Sequence, residues 1–233
     1  MKSEKSIGRW FGGMLLLAMA LGIWNNFGLS NPVLGGEGYL RNGADMPNLF
    51  GASVLVALFT SGLGLAATVI AWPLFRRTSP GLALAGLVIT GVGFATTVVE
   101  QASFLSMLSL SQQYAQHPGA DPQQFELLRG VVSAARNGIH FLDKIVGGAG
   151  LLLTYLVLYR GRLVPRLIAV PGVLATLSQM SGISLELFSR DLPMLMLLPL
   201  FVMQLVLCLW LLARGFHAAR IAGTSPAIVD QAG

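Results

Sequence analysis

Residues 136–158 read RNGIHFLDKIVGGAGLLLTYLVL. Four ionisable side chains, Arg136, His140, Asp143 and Lys144, open a run that is then apolar to Leu158. The run is long enough to cross a bilayer, whose ~30 Å core takes about 20 helical residues. An ionisable group at that depth costs roughly 2.5–3.5 kcal/mol on insertion scales, so such groups pair and often mark a functional path. One segment thus predicts both a membrane-spanning helix and a place within it.

Composition extends this reading to the whole chain. Apolar residues make up 54% of the 233 and only 11% are charged, against about a quarter charged in soluble domains. Mean hydropathy is +0.70. Five further windows qualify as spans, giving 10–29, 49–75, 81–105, 138–158, 163–188 and 192–216. The runs are long and continuous rather than alternating with period two, which disfavours strands. The expectation is an all-α, polytopic six-helix bundle forming a single membrane domain. Lys2, Lys5 and Arg9 precede the first run as in a signal peptide, but the hydrophobicity continues to Ile23, so this run is read as a retained span.

Basic residues alternate between the two ends of these spans. Lys2, Lys5, Arg9, Arg76, Arg77, Arg160, Arg162, Arg166, Arg214 and Arg220 fall on one side, ten of the fifteen. Arg41, Arg129 and Arg190 fall on the other, among Glu37, Asp45, Asp121, Glu126 and Asp191. By the positive-inside rule both termini are cytoplasmic, in a plasma (inner) membrane. The net charge of +5 carries no nucleic-acid signal, since no basic run is interleaved with aromatics. Pro47, Pro80 and Pro193 stand at segment starts, with Pro165 in the same role; Pro171 and Pro199 lie further inside and are expected to kink. Residues 111–137 read as an external loop containing an interfacial helix, and 222–233 as a flexible tail. Trp10, Trp24, Trp72 and Trp210 fall near the interfaces, as belt aromatics do.

Arg129, Ser133, Arg136, His140, Asp143 and Gly147 step by four and three, which holds them on one helical face. Lys144 borders that stripe. Asp143 and Lys144 are about 100° apart around the helix, so each is expected to find its partner elsewhere. Glu100, in the third segment with Thr96 and Ser103 on its face and Gln101 beside it, is the expected partner of Lys144 or Arg136. Counting at 1.5 Å per residue, Asn25 and Asn26 lie roughly 8–10 Å outward of their midpoint and Gln179 about 5 Å, with Gln204 near the midplane. Polar side chains from several helices thus share one half of the membrane, and the cytoplasmic half is nearly all aliphatic.

The inferred object is a polar pocket in the non-cytoplasmic half, with Glu100, His140, Asp143, Lys144 and Arg136 as ligand or proton-site candidates. Asn25, Asn26, Gln101, Gln179 and Gln204 would line it. The leading functional expectation is binding or transport of a small lipophilic or amphiphilic ligand. Two others stand beside it: a structural or accessory subunit whose polar seam glues helices or docks a partner, and an intramembrane acid/base enzyme of isomerase or cyclase type. Expected partners are membrane lipids, such a ligand, and a second copy or another membrane subunit. His117, His140, His217 and the lone Cys208 have no metal-ligand spacing, and no disulfide can form within the chain. No phosphate-cradling glycine loop, nucleophile elbow or bis-histidine haem pattern appears, so no catalytic residue and no cofactor are assigned.

Three stretches carry a resemblance. They are Val98-Val99-Glu100-Gln101-Ala102, the turn Leu156-Val157-Leu158-Tyr159-Arg160-Gly161-Arg162-Leu163-Val164-Pro165-Arg166, and Leu205-Val206-Leu207-Cys208-Leu209-Trp210-Leu211-Leu212-Ala213-Arg214-Gly215. In these the chain resembles the bacterial membrane-protein family known as domain of unknown function 4386. The resemblance implies a six-span bundle and no established activity. The family pattern has arginine three positions before the third-span glutamate and an acid shortly before the final Trp-Leu. Here those positions are Thr97 and Gln204, so the family's charge pair does not carry over.

Overall fold

The computed structural model describes residues 3–119, 121–188, 190 and 193–218. Lys2, Asp191, Leu192, Arg220 and the tail 222–233 lie outside them. The described residues contain no strand, and six helices are long and apolar enough to cross a membrane. We label them α1 (Glu4–Trp24), α2 (Pro47–Thr78), α3 (Pro80–Gln116), α4 (Pro122–Arg160), α5 (Arg166–Glu186) and α6 (Leu198–Arg214). Each packs on its neighbour in the chain, and α6 packs back on α1, closing a ring. Large apolar side chains such as Leu55, Phe59, Leu167 and Leu174 are exposed around it, as a lipid-facing surface requires. The chain is a multi-pass membrane protein.

Local chemistry sets the helix starts. Ser3 Oγ accepts from the Ser6 N–H at 3.2 Å, and Asp121 accepts from the Gln123 N–H at 2.9 Å ahead of Pro122. Pro199 stands in the first turn of α6 and not inside it, because the preceding residues wind as a separate 3₁₀ turn, Met194–Met196. Pro171 is inside α5 as expected, and Pro73 is inside α2. Beyond Trp24, α1 widens into a π-helical turn, Asn25–Ser30, before Asn31–Leu34. Pro32 lacks the N–H that would have bonded Gly28 one turn back, which accounts for the break in the α-ladder.

The expected external loop 111–137 is helical over 111–116 and 122–137. Its polarity does not mark where the helix stops. Gln112, Gln113 and Gln124 are compatible with a helix, and only the His117-Pro118-Gly119 turn interrupts. At 37 and 39 residues, α3 and α4 run about 55–58 Å, far longer than a bilayer core. They therefore project as a hairpin, with the Tyr114 and Phe125 rings in edge contact 5.2 Å apart near its tip.

Two apolar cores occupy the two ends of the bundle. The larger lies at the end carrying the termini and centres on Phe11, Phe75, Tyr155 and Phe216. Phe216 follows the last helix after Gly215, whose φ of +68° only glycine adopts readily. The turn tucks Phe216 between Phe11 and Phe75, at 5.7 and 5.9 Å. His217 then donates its backbone N–H to Leu163 at 2.9 Å. At the far end Val33, Tyr39, Phe50, Phe104 and Met107 form a smaller core. It seats residues 31–46 against α3, where Ser111 Oγ accepts from the Ala44 N–H at 2.7 Å and donates to the Leu40 carbonyl at 2.9 Å.

Candidate functional site

Between the two cores lies a cavity of about 560 Å³, walled by α1 with its π turn, α2, α3, α4 and Gln179 of α5. On α4 its wall runs from Arg136 to Thr154, some 27 Å along the helix. That is most of a membrane core, and much deeper than the half-membrane pocket expected from the sequence.

The upper tier is ionic. Glu100 is 4% exposed, and its Oε1 lies 3.2 Å from Arg136 Nη2 and 2.6 Å from His140 Nδ1. Of the two partners expected for Glu100, Arg136 is the one it bonds. Lys144 instead bonds its neighbour Asp143, Nζ to Oδ2 at 3.0 Å. The 100° offset between adjacent residues does not prevent this, because the four-carbon lysine stem swings back to an acid that is itself held still. Two threonines of α3 hold it. Thr96 Oγ1 and Thr97 Oγ1 donate to Asp143 Oδ1 at 2.8 and 2.9 Å. Thr97 thus serves the same carboxylate oxygen as Thr96 without supplying charge; Lys144 supplies the charge. Arg136 also lies over the Phe104 ring, 5.9 Å from its centroid.

Both acids are therefore neutralised within the bundle, and both pairs still border open space. All five ionisable candidates line the cavity, as do Asn25, Asn26, Gln101 and Gln179. Gln204 does not. It sits on α6, which contributes no residue to the wall, and its Oε1 is buried without a hydrogen bond among the described residues. The sequence places Gln204 along its helix but not around it.

Sequence reasoning missed the lower tier. Below the ion pairs, Thr68, Thr90 and Thr154 line the wall down to Leu15 and Phe11. A signal for them exists. Glycine stands four residues before threonine at 64/68, 86/90, 150/154 and 172/176, and in each of these the threonine Oγ1 donates to that glycine's carbonyl, at 2.7–3.0 Å. A hydroxyl that bonds its own helix can sit in a membrane without an outside partner. The glycines admit close neighbours: a Cβ on Gly150 would stand 3.3 Å from Thr90 Oγ1.

Four buried polar atoms on residues of the wall have no hydrogen-bond partner among the described residues: Asn25 Oδ1, Thr60 Oγ1, Gln179 Oε1 and Arg136 Nε. Among the described residues no three of His, Cys, Asp and Glu are placed to hold a metal ion together.

Compared with known proteins, the chain matches one family model over residues 10–215, described as Domain of unknown function (DUF4386). No curated protein and no solved structure matches it.

Proposed function

As the chain belongs to the DUF4386 family, an integral membrane bundle of unknown activity, we propose that it binds or passes a small molecule in its central cavity. One observation carries this reading. The ion pairs are complete without a guest, yet they stand beside a void of about 560 Å³, within the ~300–1,000 Å³ usual for small-molecule sites. Helix glue requires the pairs; it does not require the space beside them. An amphiphilic guest would set its polar end against the tier of Glu100, Arg136 and His140 and its remainder toward Thr154 and Phe11.

We also propose that both termini face the cytoplasm. Lys5, Arg9, Arg76, Arg77, Arg160, Arg162, Arg166 and Arg214 collect at that end, and only Arg41, Arg129 and Arg190 at the other. The ionic tier then opens toward the outside. The Phe11–Phe75–Phe216 cluster would close the cytoplasmic end.

The test is native mass spectrometry of protein purified in mild detergent, beside a Gly64→Leu variant. Gly64 lines the cavity, and a Cβ there meets nothing within 4 Å. Wild type should retain a small molecule or lipid that the leucine displaces while the protein stays folded. A mass without adduct in wild type, or an adduct indifferent to Gly64→Leu, overturns the proposal.

The completeness of the ion pairs supports a second reading, a structural subunit whose seam only locks α3 to α4. It predicts that charge-removing variants lose assembly and that filling the cavity changes nothing.

A further inference from the structure

We infer that the guest is a singly charged anion with an apolar tail: a carboxylate, drawn either from the membrane as a fatty acid or from water as a short-chain acid. This rests on the reading of the cavity as a binding site and adds the chemical class.

Accessibility carries the charge argument. In each ion pair of the upper tier the base is the member left open. Side-chain exposure is 19% for Arg136 and 31% for His140 against 5% for Glu100, and 43% for Lys144 against 11% for Asp143. All five line the cavity, so a guest meets the bases first and the acids behind them. Among the described residues, no other residue of the wall is charged.

Lys144 is the base with capacity to spare. Its ammonium has three hydrogens and makes one hydrogen bond, to Asp143 Oδ2. Asp143 does not depend on that bond alone, because the Thr96 and Thr97 hydroxyls serve Oδ1. A guest carboxylate can therefore accept a second Nζ hydrogen while Asp143 keeps its partners. One ammonium answers one negative charge, which sets the guest's charge at one. A cation has no such place, since it would have to displace a base from a covered acid.

Below Lys144 the wall changes character. From there to Thr154 α4 descends about 15 Å, past Val146 and Leu151 and toward Leu15 and Phe11 of α1. Thr68, Thr90 and Thr154 bond carbonyls of their own helices, so the wall here asks little of a guest. An apolar tail fits this length, and a second ionic group would find no partner in it.

The experiment uses full-length protein in two arms. In phosphatidylcholine nanodiscs doped equally with decanoate, 1-decanol and decyltrimethylammonium, native mass spectrometry reads which is retained. In the aqueous arm, saturation-transfer NMR compares butyrate with 1-butanol and butyltrimethylammonium. Both arms run on wild type, Gly64→Leu and Gly147→Asp. Gly147 lines the cavity three residues beyond Lys144, and a Cβ there meets nothing within 4 Å, so the new carboxylate takes the guest's place beside the ammonium. Decanoate retained at least tenfold over its two analogues, and lost in Gly147→Asp, supports the membrane source. The same preference and loss for butyrate support the aqueous source. Lys144→Gln replaces Gly147→Asp if the latter does not fold, with the same loss expected. Anything short of that preference, with a guest that Gly64→Leu still displaces, overturns the anion and leaves the cavity reading standing. Anion binding indifferent to Gly147→Asp overturns it too, by placing the anion elsewhere. Binding of nothing in either arm overturns both.

Discussion

Glu100 Oε1 lies 2.6 Å from His140 Nδ1 and 3.2 Å from Arg136 Nη2, so a single carboxylate oxygen ties α3 to two successive turns of α4. Arg136 and His140 are four residues apart, which puts them on the same face one turn from each other. The arrangement makes Glu100 the residue whose loss leaves the most behind.

Glu100→Gln should strand the Arg136 guanidinium in a half-buried site and lower stability by about 3 kcal/mol. Removing both partners, Glu100→Gln with Arg136→Leu, should cost less than the single change. Thermal unfolding in detergent measures both, and a double variant weaker than the single one would show that the pair is not the main tie.

Thr97 offers a charge-rescue test. Lys144→Met should destabilise by leaving Asp143 with hydroxyl partners alone. Adding Thr97→Arg, the residue of the family pattern, should restore the folded yield, because the new guanidinium rises from the position that already reaches Asp143 Oδ1. Fluorescence-detected gel filtration of the single and double variants decides it. No recovery would mean that the arginine cannot reach Asp143 from this backbone.

Gly172 should tolerate no side chain. A Cβ there would run into the ring of Tyr155, which is fully buried among the helices at the end with the termini. Gly172→Ala should cost about 1–3 kcal/mol by overpacking. Combining it with Tyr155→Leu should recover part of the loss, read as the unfolding midpoint.

Burial pushes the Tyr39 phenol above its ordinary value near 10, and its hydroxyl donates to the Arg129 carbonyl at 3.2 Å. A raised value in the folded state means that this contribution is intact below pH 10. It is lost as pH rises through the higher folded value. Proteolysis of the segment 31–46 should therefore accelerate only at strongly alkaline pH, and Tyr39→Phe should shift that onset.

The six spans were legible because lipid demands long apolar helices, and nothing in residues 81–105 or 138–158 competes with that signal. The ionic candidates were legible for the opposite reason, as exceptions to it. Angular position was harder. Gln204 and Gln179 are each a lone amide within an apolar helix, yet Gln179 lines the cavity and Gln204 does not, since in a closed ring the neighbours decide which face is inside. Thr68, Thr90 and Thr154 escaped notice because single hydroxyls are cheap in a membrane helix; only their shared spacing from glycine sets them apart. The Asp143–Lys144 pair was missed because helix geometry describes backbones, and a lysine stem is long enough to ignore it.

Ring closure has a consequence for synthesis. α1 leaves the ribosome well before its partner α6 and the Phe216 that completes its aromatic contacts. Until then Phe11 and Gly12 on α1 have no permanent neighbour on that side, and the cavity has no finished wall. This bundle cannot be built one hairpin at a time into a working state; its interior comes into being in a single late event. Mutations at the Gly8–Phe216 junction should accordingly show themselves first as lost yield during biogenesis, before any change in the mature protein.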